Sequence, residues 1–149
     1  MTASTLTPSD SAPWHLWLSG ILALLWNGMG AFDYLMTQTR NASYMAGFAP
    51  EQLDYFYGLP KWSLATWAIS VWSGVLASVL LLLRRRWAKP AFAVSLLAML
   101  PTFVHNYLLS KGYEIMGGAA GLAFTLTIVA VGIGLLIYSG RMVKNQILR

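Results

Sequence analysis

An all-α, polytopic membrane protein, a bundle of four transmembrane helices with a short external interfacial helix, is the fold class that three features of this sequence predict. Hydrophobic residues fill 57% of its 149 positions and charged residues only 10%, where a soluble domain carries roughly a quarter charged. The apolar residues gather into four blocks, at 14–36, 62–83, 90–109 and 117–139, each near the ~20 residues a helix needs to cross hydrocarbon. The basic residues crowd into short connections instead of spreading over a surface.

The segment 1–13 is polar and rich in Ser and Thr, with Asp10 its one charge, and reads as a flexible cytoplasmic N-terminus. A secretory signal needs a basic region before its apolar core; none precedes Trp14, so the first span is expected to be retained. That span carries Asn27 and Asp33 among apolar neighbours. An ionisable residue inside a bilayer helix is by default a hypothesis about function. At about 100° per residue, Ser19, Asn27, Gly30, Asp33, Tyr34, Thr37 and Gln38 fall within an arc of about 140°. Lipid cannot satisfy such a polar arc, so it must face protein or a cavity.

The connection that follows is longer than a tight turn. Pro50 and Glu51 suit a first helical turn, Leu53, Tyr55, Phe56 and Tyr57 follow, and Gly58-Leu59-Pro60 ends the segment. A short helix lying on the membrane surface is expected, with its aromatics at headgroup level; a lid over a pocket below it is the alternative. The second span carries a stripe of small residues, Ser63, Thr66, Ser70, Gly74 and Ser78, and the fourth carries Gly117, Gly121 and Thr125. Small residues at four-residue spacing let helix backbones approach closely, so helix packing is the role expected of Ser70, Gly74, Ser78, Gly117 and Gly121. The third span repeats the polar pattern of the first with Ser95, Thr102, His105, Asn106 and Ser110 on one side, and Pro101 predicts a kink.

Orientation follows from charge. Arg84, Arg85, Arg86 and Lys89 lie between spans two and three, and Arg141, Lys144 and Arg149 lie beyond span four. The other side holds only Arg40, Lys61 and Lys111. The positive-inside rule then makes both termini of a multi-pass membrane protein cytoplasmic, and the 140–149 segment a cytoplasmic basic tail. This distribution also separates the net charge of +5 from any nucleic-acid role.

In this topology Asp33 and His105 share a depth near the outer surface. Asn27, Asp33, Tyr34, His105 and Asn106 are the candidate ligand-binding residues, with Glu114 a further neighbour. A second reading stays open for Asp33: a plain ion pair with Arg40 or Lys61 explains the acid without any ligand. No cofactor is implied. The chain has no cysteine, which removes thiolate metal sites and thioether-linked haem; His15 and His105 fall at opposite ends of the membrane, which argues against one haem held by both within a protomer, and Asp33, His105 and Glu114 lack any diagnostic metal spacing.

Several segments together resemble one family. They are Trp26-Asn27-x-Met29-Gly30, Asp33-Tyr34-Leu35-Met36-Thr37-Gln38-Thr39-Arg40-Asn41, Pro50-Glu51-Gln52-Leu53, Tyr55-Phe56-Tyr57-Gly58, the leucine run before Arg84-Arg85-Arg86, and His105-Asn106-Tyr107. They resemble a group of small four-span bacterial inner-membrane proteins often labelled sugar transporters, over roughly residues 17–117. The resemblance implies a transporter or solute-binding role, and four short spans imply a homo-oligomer. Two other functions compete: a non-catalytic membrane subunit that binds a heterologous membrane partner through its small-residue stripes, and an intramembrane enzyme using Asp33, Tyr34 and His105 for proton transfer. No nucleophile motif, paired carboxylates or phosphate loop supports the last.

Overall fold

A computed structural model describes residues 11–149; most of the expected cytoplasmic N-terminus, residues 1–10, lies outside them. All regular structure among the described residues is helical. The elements are α1 (Trp14–Gln38), α2 (Ala42–Met45), α3 (Pro50–Tyr57), α4 (Lys61–Leu82), α5 (Ala88–Val104), a π-helical turn (His105–Leu109), α6 (Gly112–Ile115) and α7 (Gly118–Lys144). Among the described residues three helical stretches are long and apolar enough to cross a membrane: Lys61–Leu82, Ala88–Leu109 and Gly118–Lys144. With 25 residues α1 is long enough as well, at ~1.5 Å rise per residue, but Asn27, Asp33 and its tryptophans make it the least apolar of the long helices.

The long helices stand in a row, not in a closed ring. α1 packs along α4, α4 along α5, and α5 more loosely against α7. Helix α1 reaches α7 through His15 and Trp26. His15 Nδ1 lies 2.7 Å from the Tyr138 hydroxyl, and the Trp26 and Phe124 rings stand 6.4 Å apart, centre to centre.

The small-residue stripe of α4 explains why α1, α4 and α5 come close. Asn27 Nδ2 donates to the Ser78 hydroxyl across the α1–α4 contact at 3.1 Å, and the Ser78 hydroxyl donates to the Gly74 carbonyl at 2.8 Å. Between α4 and α5 the serines exchange bonds: Ser70 Oγ donates to the Ser95 carbonyl at 2.9 Å and Ser95 Oγ to the Ser70 carbonyl at 2.7 Å. Thr66 and Thr102 hydroxyls lie 3.0 Å apart one turn beyond. Gly74 is buried at the centre of this junction, and a Cβ there would overlap Asn27 Oδ1 and stand 3.1 Å from Ser95 Oγ. On the α5–α7 side, the Tyr107 hydroxyl reaches the Gly121 carbonyl at 3.2 Å and Thr125 Oγ1 at 2.7 Å. Gly117 has a different job from the other small residues: with φ of 93° it is the left-handed residue from which α7 starts, a conformation glycine adopts without strain.

The two ends of the row are built differently. At the end bearing Arg84–Lys89, a cluster that includes Leu16, Ala77, Leu81, Phe92, Met142 and Leu148 forms the apolar core. Nothing in Gly140–Val143 stops a helix, so α7 runs on to Lys144, past the expected limit of the span at 139. The remainder of the 140–149 tail turns back at Gln146 (φ 57°) and docks on the α4–α5 connection. There Arg149 N donates to the Arg84 carbonyl at 2.8 Å, Arg86 N donates to the Arg149 carbonyl at 2.9 Å, and Leu148 is buried. At the other end, α2, α3 and α6 lie across the mouths of the long helices. Asn41 caps α2, its side chain accepting from Tyr44 N at 3.1 Å. Gln52 Oε1 caps α3 by accepting from Ala49 N, and its Nε2 donates to the Ile115 carbonyl of α6, both at 3.1 Å.

Pro101 lies inside α5 and removes one N–H from its ladder. A few residues on, the helix widens into the π turn, and the Ser110 hydroxyl donates to the His105 carbonyl at 2.8 Å. Such turns are frequent at functional sites. The adjoining α6 comes in so close that a Cβ on Gly112 would overlap the Asn106 carbonyl and stand 2.6 Å from the Tyr55 hydroxyl.

Candidate functional site

Because α1 and α7 do not pack along their lengths, the row of helices encloses a cavity of about 610 Å³. Its floor is Phe92, which also belongs to the apolar core. Its cover is aromatic: Tyr44 and Phe48 from the α2 segment, and Tyr55 and Phe56 from α3. These rings interlock edge to face, Phe32–Tyr44 at 5.6 Å and Phe48–Phe56 at 5.5 Å between centres, an arrangement aromatic quadrupoles favour.

The sequence candidates divide into two groups. Asn27, Asp33 and Asn106 line the cavity. Tyr34 and His105 stand beside it: Tyr34 packs edge-on against Trp67 at 5.1 Å, and His105 lies against Trp62 at 5.4 Å. His105 Nδ1 is 3.4 Å from Asn106 Oδ1, so its contact with the wall runs through that amide. Glu114 is exposed on α6. Ser70, placed with the packing stripe, does both: it joins α4 to α5 and shows its side to the cavity.

Asp33 is half-buried, and its Oδ1 accepts a hydrogen bond from the Tyr44 hydroxyl at 2.7 Å. Among the described residues it makes no ion pair. Arg40, the nearest basic residue in sequence, places its guanidinium 4.3 Å over the Tyr57 ring instead, a cation–π contact. The Asp33 bond joins two chain segments and has an electrostatic signature at its donor. Burial, the hydrogen bond to Asp33 and the charge of that carboxylate together push the Tyr44 phenol up to about 12. A matching tie closes the other side of the cover, where the Tyr55 hydroxyl donates to Asn106 Oδ1 at 2.9 Å and lies 2.8 Å from Ser110 Oγ. Burial raises the Tyr55 phenol too.

Two residues of the cavity's cover are not among the sequence candidates. Tyr44 sat in a connection with no periodicity, and only the return of the chain over α1 brings it to Asp33. Tyr55 belongs to the segment expected either at headgroup level or as a lid, and its hydroxyl turns inward to Asn106 and Ser110. Deeper in the cavity the apolar walls, Trp67, Met99, Phe103 and Phe124 among them, carried no sequence signal, since on a membrane helix an apolar residue facing a cavity looks the same as one facing lipid.

Among the described residues no group of three His, Asp or Glu side chains stands close enough to hold a metal ion. The arrangement therefore offers a roomy apolar chamber with one carboxylate, hydroxyls and amides on its walls, and two tyrosine ties at its cover. Comparison with protein-family models, with curated proteins and with solved structures found no match.

Proposed function

We propose that this chain is a small four-span protein of a bacterial inner membrane that binds a small solute in an outward-facing cavity, the open half of a transport cycle. The observation that carries this reading is the cavity of about 610 Å³ with the carboxylate of Asp33 in its wall and no cation among the described residues paired to it. The volume falls in the ~300–1,000 Å³ range of pockets that take small organic ligands.

The membrane setting is supported by large apolar side chains left exposed on every long helix, such as Ile21, Trp72, Leu97 and Ile133, a surface that water does not tolerate in this extent. α1 serves as the fourth span, its polar arc turned to Ser78, Tyr44 and the cavity and away from lipid. The end holding Arg84, Arg85, Arg86 and Lys89 is cytoplasmic by the positive-inside rule, which puts the aromatic cover outside. The segments that resemble the small four-span proteins labelled sugar transporters bring Asn27, Asp33 and Asn106 to the cavity wall, in keeping with a solute site.

The absence of native cysteine makes the test direct. Ser95→Cys, in the cavity wall, should react with a membrane-impermeant maleimide in right-side-out vesicles and not in inverted ones. A panel of sugars, amino acids and organic amines is then screened for protection of that thiol. Labelling only from the cytoplasmic face overturns the outward-facing cavity, and an outward-reactive thiol that no member of the panel protects overturns the binding role.

A further inference from the structure

We infer that the cavity takes an amphipathic organic cation, an apolar or aromatic body bearing a positive charge, which arrives from the membrane between α1 and α7 and sets its charge against Asp33. The inference rests on the solute-binding reading above and gives it a ligand class.

Charge comes first. Apart from the phenols of Tyr44 and Tyr55, Asp33 is the one acid or base among the described residues of the cavity wall. A carboxylate held among apolar groups is costly unless paired. Here it has a hydrogen bond from Tyr44 and no cation among the described residues, so a positive group in the chamber supplies the missing partner. The surrounding rings add to the preference. Phe32, Tyr44, Phe48 and Trp67 share the wall with Asp33, and aromatic faces attract cations most strongly where water is excluded.

The hydrogen-bond inventory argues against a polyhydroxylated ligand. Nearly every polar side chain in the wall has already committed its proton to the protein. Asn27 Nδ2 serves the Ala23 carbonyl and Ser78, Ser70 and Ser95 serve each other's carbonyls, Thr102 is matched with Thr66, and Thr125 with Tyr107 and the Gly121 carbonyl. A sugar would surrender its hydration to walls with few donors left, whereas a site for hydroxyl groups must offer matched partners. Asp33 and the Asn27 carbonyl oxygen have acceptor capacity to spare, and of the two only Asp33 carries a charge.

The way in follows from the open row of helices. Met29, Phe32 and Phe124 line the chamber and are at the same time 62%, 53% and 59% exposed. The wall between α1 and α7 is thus a seam of flexible apolar side chains, with the single ring contact Trp26–Phe124 across its middle. A molecule dissolved in the bilayer meets no polar barrier there.

Tetraphenylphosphonium and tetraphenylborate make the test, because they share size and shape and differ in the sign of their charge. Binding of each to the full chain in nanodiscs is measured by equilibrium dialysis against empty discs. Saturable binding of the phosphonium and none of the borate is expected. Asp33→Asn should weaken phosphonium binding by roughly tenfold or more, the loss typical of a charge-assisted contact, and Asp33→Glu should restore part of it. Equal binding of the two ions, or no saturable binding of the phosphonium, overturns the inference, and neither result requires a variant that folds. If a neutral sugar protects the cysteine at position 95 while the phosphonium does not, the cation class fails and the solute cavity stands. If neither protects it, both readings fall.

Discussion

Gly74→Ala is the perturbation that tests the packing of this protein most directly. The new methyl group would overlap Asn27 Oδ1 and lie 3.1 Å from Ser95 Oγ, at a point where α1, α4 and α5 converge. Neither neighbour has free room: Asn27 is held by Ser78 and the Ala23 carbonyl, and Ser95 by the Ser70 carbonyl. Overpacking of this kind costs about 1–3 kcal/mol. Asn27→Ala alone removes an interhelical hydrogen bond, worth about 0.6 kcal/mol on average and up to about 1.7. Combined, the two substitutions should be far from additive, because removing the amide vacates the space the methyl needs. The double variant is expected within about 0.5 kcal/mol of Asn27→Ala alone, a favourable coupling of about 1 kcal/mol or more. Reversible unfolding in mixed micelles of rising dodecyl sulfate content, followed by far-ultraviolet circular dichroism, gives the energies. Additive losses would show that Gly74 and Asn27 do not meet, and the α1–α4–α5 junction would have to be redrawn.

Three further outcomes are expected. Asp33→Asn should change stability by less than about 1 kcal/mol, since it breaks no ion pair and keeps an acceptor for Tyr44; a loss of about 3–5 kcal/mol, the cost of breaking a buried pair, would reveal a cation partner and restore the structural reading of this acid. The Tyr44 phenol stays protonated to about 12 in the fold against 10.0 ordinarily, so its contribution to stability is complete below pH 10 and lost as pH climbs to about 12. Tyr44→Phe should flatten that decline in unfolding midpoint, and a parallel decline in both proteins would refute the Asp33–Tyr44 tie. His15→Ala and Tyr138→Phe should each cost about 0.6 kcal/mol and the pair together no more than one alone, because they delete the same α1–α7 bond; doubled losses in the same unfolding assay would mean that the two act apart.

The long helices were legible because their apolar runs are continuous and longer than any soluble helix core requires. The polar arc of α1 was legible because helical periodicity survives into the folded chain: Asn27 and Asp33 both end on the inner side, with protein partners. The fate of the Asp33 charge was not legible, since Arg40 could be placed on the same face by counting residues. In the fold α1 ends at Gln38 and Arg40 takes a positive φ of 50°, which swings its side chain to Tyr57. The π turn was equally hidden. Pro101 announces a disturbance, but its form depends on Ser110 reaching back to the His105 carbonyl, a local match of side chain and backbone that no periodicity encodes. The apolar walls of the cavity leave no trace in a sequence where lipid and ligand demand the same residues.

The bond from Asn27 to Ser78 also bears on how the protein is made. Its two ends are 51 residues apart in the chain, and ribosomes add roughly 5–20 residues per second. The nascent α1, the least apolar of the long helices, therefore waits about 3–10 s at that rate before the helix that shelters its amide has been synthesised. On the four-span reading proposed above, its amide has no partner in lipid during that interval, and the insertion machinery must shelter it. Pausing translation between α1 and α4, or lengthening the connection that separates them, should then lower the yield of inserted protein without altering the stability of the molecules that do fold.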